Sequence, residues 1–176
     1  FFDRRYSKKV PLFLWGSQPC TAGCPWQYLN KHKSPNHASR MNFLMRQFRK
    51  LHANFMSLAW EVRGKIGFEW PSNNALWKQP CVRNMITELG LQRANFNGCR
   101  VGLISKKGLP IKKPWSIETD LPDLEYIFNR LKCDGSHSHD QCEGSETTKS
   151  GFYPMPFAEK VHDALRKWYP RELLVE

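Results

Sequence analysis

Acidic side chains are scarce in this chain: 16 Asp and Glu stand against 27 Lys and Arg over 176 residues, for a formal charge of +11. The resulting mean field attracts polyanions, and nucleic acid is the commonest such partner. A long apolar run is also missing. No stretch approaches the ~20 residues that a helical membrane span needs, so the expected partners include nucleic acid and no membrane. No internal repeat is visible. Six cysteines, Cys20, Cys24, Cys81, Cys99, Cys133 and Cys142, lie scattered among long periodic segments, which excludes a small disulfide scaffold. Reduced thiols predict an intracellular protein, with the nucleus among its compartments. The chain opens on Phe1-Phe2 with no basic-then-apolar leader, and the expectation is a fragment of a longer polypeptide. What is present is apolar and aromatic. Hydrophobic residues make up 40% and aromatics 13%, too rich for disorder and enough for a core of ordinary domain size.

The order of elements predicts an α/β fold. Residues 1 to 9 form a basic lead-in, and Leu12-Phe13-Leu14-Trp15-Gly16 falls within a first strand at 10–17 that empties into the turn Ser17-Gln18-Pro19-Cys20. Breakers between Thr21 and Ser39 predict a loop. A long helix then follows from Met41, Leu44, Phe48, Leu51, Phe55, Leu58 and Val62, which recur at spacings of three and four and predict its buried face. A second strand at 65–70 ends in Glu69-Trp70-Pro71. A shorter helix from Pro80 to Gly90 has Val82, Met85, Ile86 and Leu89 facing inward. Strand–helix–strand spacing of this kind predicts parallel pairing. Two further strands, Asn95 to Ile104 and Pro110 to Thr119, predict a hairpin about Ser105-Lys106-Lys107-Gly108. Pro122 opens another helix, a polar loop spans Cys133 to Gly151, and Phe157, Val161, Leu165 and Trp168 mark a terminal helix. The expected division is a domain over 1–131 and a Cys/His-rich loop with its helix over 132–176.

If the first two strands are parallel neighbours, Cys20 and Glu69 meet at the carboxyl edge of the sheet, where open α/β sheets place their chemistry. A thiol at a strand tip beside turn amides and basic residues is suited to nucleophilic work, although a small buried thiol used as a hydrophobe fits Cys20 as well. Glu69 reads equally as a strand-end carboxylate paired to a cation, and Lys112 and Lys113 as a solvated basic edge. Basic and aromatic residues interleave at Trp77-Lys78, Lys113-Pro114-Trp115 and Arg166-Lys167-Trp168-Tyr169, where stacked bases or core packing are both open.

From the Pro-Cys turn through Glu69 to the stretch Gly108-Leu109-Pro110-Ile111-Lys112-Lys113-Pro114-Trp115-Ser116-Ile117, residues 10 to 120 resemble the catalytic segment of DNA cytosine-C5 methyltransferases, in the divergent style carried by retroelement polyproteins. The resemblance implies a partial Rossmann-like sheet with flanking helices. It also implies Cys20 as the nucleophile on cytosine C6, Glu69 as the carboxylate at N3, and Lys112 and Lys113 as cations steadying base or phosphate. Such an enzyme extrudes its target base from the duplex. The departures are clear: Gln18-Pro19-Cys20-Thr21 stands for Pro-Pro-Cys-Gln, Glu69-Trp70-Pro71 for Glu-Asn-Val, and two lysines for an arginine pair. The glycine-rich strand–turn that would bind S-adenosylmethionine is absent and would lie before Phe1. Methyl transfer is therefore expected only with an upstream cofactor half, and this fragment is expected to be inactive by itself.

Cys133, His137, His139 and Cys142 form a second constellation. Two thiols and two imidazoles in one polar loop suit four-coordinate zinc, and a merely polar loop is the other reading. Two functions follow from the sequence. One is a nucleic-acid-associated methyltransferase-like domain; the other is a non-enzymatic, zinc-stabilised nucleic-acid-binding module of a retroelement-derived protein.

Overall fold

A computed structural model describes residues 12–62 and 64–169. The basic lead-in over 1–9, and Val10 and Pro11 of the expected first strand, lie outside the described residues. The architecture is α/β, a four-stranded mixed sheet between helices, in the order β1-β2-β4-β3. Strand β1 (Leu12–Gly16) pairs in parallel with β2 (Gly64–Pro71), and the long helix α2 (His37–Glu61) connects them. Strand β4 (Pro114–Thr119) runs antiparallel to both β2 and β3 (Gln92–Asn97) and lies between them. The helix α3 (Pro80–Glu88) therefore joins two strands that share a direction without pairing, which the strand–helix–strand spacing did not reveal.

Alternation along β2 decides what each face of the sheet holds. Ile66, Phe68 and Trp70 point into a core shared with Phe48, Phe55 and Ala59 of α2 and with Val82 and Met85 of α3. The rings meet edge-on, Phe68 against Trp70 at 4.7 Å and Phe55 against Phe68 at 5.1 Å, the preferred geometry for aromatic pairs. The buried face of α2 is Phe48, His52, Phe55 and Ala59, whereas Leu51 and Leu58 stay 40% and 39% exposed. The expected stripe is thus rotated, because the Phe48–Phe55 pair follows the aromatic rows of the sheet instead of the centre of the leucine pattern.

The other face carries Ala94, Phe96, Trp115 and Ile117 under helices α4 (Pro122–Asn129) and α6 (Met155–Trp168), through Leu124, Phe128, Phe157 and Ala164. Trp15 and Glu69 also belong to this face. A Cβ at Gly67 would meet the Trp15 ring at 2.6 Å, so only glycine leaves room there for the indole. The expected hairpin is present as the antiparallel β3–β4 pair, with strand bounds moved. Residues 98–101 coil into a 3-10 turn after Gly98 N–H bonds to Lys113 O, and Ile104 and Pro110 make only an isolated bridge about Gly108, whose φ is +79°. Short helices α1 (Trp26–Asn30) and α5 (Ser145–Lys149) interrupt the two stretches expected as loops. Among the described residues no helix is long and apolar enough to cross a membrane.

Candidate functional site

Strands β1 and β2 end side by side, with Gly16 opposite Phe68. Beyond Gly16 the Ser17–Cys20 turn is held by the exit of β2. Trp70 Nε1 donates to Gln18 O at 2.7 Å, and Asn74 Nδ2 donates to Cys20 O at 2.7 Å while its Oδ1 accepts from Leu76 N at 2.9 Å. The Cys20 side chain packs at the rim of the α2/α3 core and is half-buried. Glu69 comes from the opposite face of β2 and is only 4% exposed. Its Oε2 accepts from Tyr153 Oη at 2.6 Å and from Ser17 Oγ at 3.3 Å, whereas its Oε1 is buried without a partner. Tyr153 is itself fixed, stacked on Phe157 at 4.3 Å and accepting from Trp15 Nε1 at 3.3 Å.

Lys113 joins this group. Its Nζ donates to Ser150 O at 2.9 Å and Ser150 Oγ at 3.1 Å, and lies 4.9 Å from the centre of the Trp115 ring. The charges of Lys113 and Glu69 both act on the Cys20 sulfur, so these three expected site residues share one electrostatic environment. No hydrogen bond joins Cys20 to Glu69 among the described residues. Lys112 diverges, because neighbouring residues of the extended chain point apart. Its side chain is exposed, and its charge acts on His139.

Burial dominates the protonation of these groups. It pushes the Glu69 carboxyl above the usual range, against the opposing pull of Tyr153, Lys113 and Ser17. It also pushes up the Cys20 thiol, with Lys113 lowering and Glu69 raising it further. The Tyr153 phenol is raised by burial and then by Glu69. One oxygen of this carboxyl is saturated and the other is buried without a partner, which leaves one hydrogen-bonding position unused. Two cavities lie elsewhere. One of about 230 Å³ is lined by Cys24, Gln27, Lys31, His37 and Met41, and one of about 320 Å³ opens around His52 and Cys81.

The Cys/His segment gathers a second group. Sγ of Cys99 and Cys133 and ring nitrogens of His137 and His139 all lie within 4.8 Å of one another, so the cluster could hold a metal ion. Cys133 Sγ is 3.3 Å from His139 Nε2 and 3.9 Å from His137 Nε2, and accepts from Gly135 N at 3.4 Å. Burial and then the adjoining Cys133 sulfur push the Cys99 thiol up to about 11. Partial desolvation, then His137 and Lys112, push His139 down, toward the neutral imidazole that metals bind. Three of the four expected ligands are here. Cys142 is not: its Sγ lies 3.3 Å from Ser150 Oγ and 3.9 Å from Glu146 O, and Cys99 stands in its place.

Tyr153, Ser150, Ser17 and Cys99 escaped the sequence reading. Each is an ordinary residue type in its local context, and only long-range contacts, such as the 84 residues separating Tyr153 from Glu69, give it a role. The cavity lined by Cys24 and Lys31 does not suit S-adenosylmethionine. The cavity beside the Cys20 turn is smaller than the roughly 300–1,000 Å³ typical of ligand sites. It presents Lys31 and His37 and no carboxylate to a sulfonium cation or to ribose hydroxyls. Comparison of the chain with family models, with curated proteins and with solved structures finds no match.

Proposed function

We propose that the chain is a nucleic-acid-associated domain of the cytosine-C5 methyltransferase type, a partial Rossmann-like sheet whose Cys20–Glu69–Lys113 cleft handles a cytosine ring. One observation supports the reading: a buried carboxyl near the end of β2, with one oxygen lacking a partner, and a thiol in the turn after the parallel neighbour β1 both feel the charge of one lysine. Cytosine N3 is an acceptor, and a protonated Glu69 is its complement. Hydrogen bonding at N3 draws electrons from the ring and makes C6 electrophilic, so the Cys20 sulfur adds there as its proton passes to water. C5 then becomes nucleophilic and takes a proton from solvent. Loss of the original C5 proton and cleavage of the C6–S bond return base and thiol unchanged. The formal charge of +11 supports association with a polyanion. Methyl transfer belongs to the reading only with an upstream cofactor half.

The cycle predicts exchange of the cytosine C5 hydrogen without any cofactor. An oligonucleotide with an unpaired cytosine, incubated with the protein in heavy water and analysed by mass spectrometry, gains deuterium at C5. Cys20→Ala abolishes the gain, and Glu69→Gln slows it by roughly 10²–10⁴-fold, the usual contribution of a positioned acid. Exchange that survives Cys20→Ala, or none above the protein-free rate, overturns the proposal.

A second reading is favoured by the Cys99, Cys133, His137 and His139 group: a non-enzymatic nucleic-acid-binding module stabilised by zinc. It predicts salt-dependent oligonucleotide binding that Cys20→Ala leaves intact.

A further inference from the structure

From residue 133 to residue 149 no residue is fully buried, and the one apolar contact with the core is the half-buried Cys142. Its far end nevertheless delivers two groups to the interior. Ser150, 1% exposed, receives Lys113, and Tyr153 closes over Glu69. A polar segment pays its ordering entropy only if something else fixes it. We infer that Cys99, Cys133, His137 and His139 bind one zinc ion, and that the ion fixes the near end of the segment that closes the Glu69 cleft. This deepens the zinc part of the second reading and holds whether or not the cleft accepts a nucleobase.

The ligands converge for reasons independent of a metal. Cys133 N donates to Asn97 Oδ1 at 2.8 Å, which seats the loop against the 3-10 turn holding Cys99. That turn is tied to Lys113 O through Gly98 N at 2.8 Å, and Arg100 pairs with Asp134 at 3.6 Å between the two ligand segments. Zinc bonds of about 2.3 Å to sulfur and about 2.0 Å to nitrogen place tetrahedral ligand atoms about 3.3–3.8 Å apart. A sulfur–nitrogen pair falls near the middle of this range, so the Cys133–His139 separation of 3.3 Å needs a slight expansion and the Cys133–His137 separation of 3.9 Å a small contraction. Two thiolates neutralise the dication, and the Gly135 amide donates to one of them. Beyond His139, Asp140 N bonds to Pro110 O at 2.9 Å and Asp140 bridges Ile111, so the chain leaves the metal group beside the segment that leads to Lys113.

The test is the metal content of the protein purified with zinc, together with the absorption of its cobalt-substituted form. The wild type and Cys142→Ala are expected to hold about one zinc per chain in a four-coordinate site, and Cys99→Ala to lose it. Because Cys99→Ala can fail to fold, Cys99→His is the second variant. It keeps a tetrahedral cobalt spectrum while the sulfur-to-metal charge transfer drops by about half, two thiolates having become one. Zinc lost in Cys142→Ala and kept in Cys99→Ala, or an intact mass showing a Cys99–Cys133 disulfide in place of zinc, overturns the ligand set. Stripping the ion with a chelator is expected to release Ser150 and Tyr153 and speed alkylation of Cys20 several-fold, read by peptide mapping. An unchanged Cys20 rate in fully stripped protein overturns the link to the cleft. Neither measurement involves nucleic acid, so each outcome is separate from the fate of the cytosine reading.

Discussion

Changing Glu69 to Gln keeps the size of the side chain and removes its proton equilibrium, which turns the burial of this carboxyl into a measurable slope. Glu69 is 4% exposed, and burial outweighs the pull of Tyr153, Lys113 and Ser17, so its folded pKa lies above the unfolded value. The folded protein therefore binds the proton more tightly than the unfolded chain does. Wild-type stability from this group is fully present below the unfolded glutamate pKa of about 4.3 and is lost as pH rises through the folded pKa. Within that window the loss approaches about 1.4 kcal/mol per pH unit, the linkage slope of one proton. The groups facing Glu69 are Ser17, Tyr153, Lys113 and Cys20, and the shifts of Tyr153 and Cys20 are both upward, away from this window. Glu118 is also raised by burial, against Arg93, and adds a slope of the same sign. Subtracting the two proteins cancels it, because Glu118 is present in both. The Gln amide places N–H groups where Glu69 Oε1 has no partner, a cost that does not vary with pH. Urea unfolding followed by tryptophan fluorescence at a series of pH values gives the difference directly. The stability of Glu69→Gln relative to wild type should climb as pH rises from about 4.3 and then level off. Parallel curves across the range would refute the claim that burial controls this carboxyl.

Two other predictions concern single side chains. Phe68 is fully buried among Phe55, Trp70 and Trp77, and Phe68→Ala should cost about 3–5 kcal/mol in urea unfolding, the range for an aromatic deleted from a core. A loss below about 1 kcal/mol would mean that the α2/α3 core is not packed as described. Lys113 lowers the Cys20 pKa against burial, so Lys113→Met should move the pH profile of Cys20 alkylation to higher pH, and a downward move would reverse the assigned electrostatics.

Which parts of this molecule were legible in its sequence follows from the range of the forces that set them. The parallel β1–β2 pair and the Pro80 and Pro122 helix starts could be read, because periodicity, a proline and a strand–helix–strand order act over a few residues or fix topology directly. The insertion of β4 between β2 and β3 could not, since pairing choice is settled by Ile117, Trp115 and the faces they bury. The metal group shows the same division within one loop. Spacing offers Cys142 with Cys133, His137 and His139, since all four lie within ten residues. The Asp140–Ile111 bridge turns the chain after His139, which sends Cys142 to Ser150. The Asn97–Cys133 bond meanwhile brings in Cys99 from 34 residues upstream of Cys133. A donor set read from adjacent positions is therefore right for the ligands that share a loop and silent about the one that a backbone hydrogen bond supplies from outside it. Tyr153 is the extreme case. Nothing about an aromatic in a breaker-rich stretch marks it as the partner of a buried glutamate, and its role exists only because α6 carries Phe157 under the sheet and stacks the phenol beside Trp15.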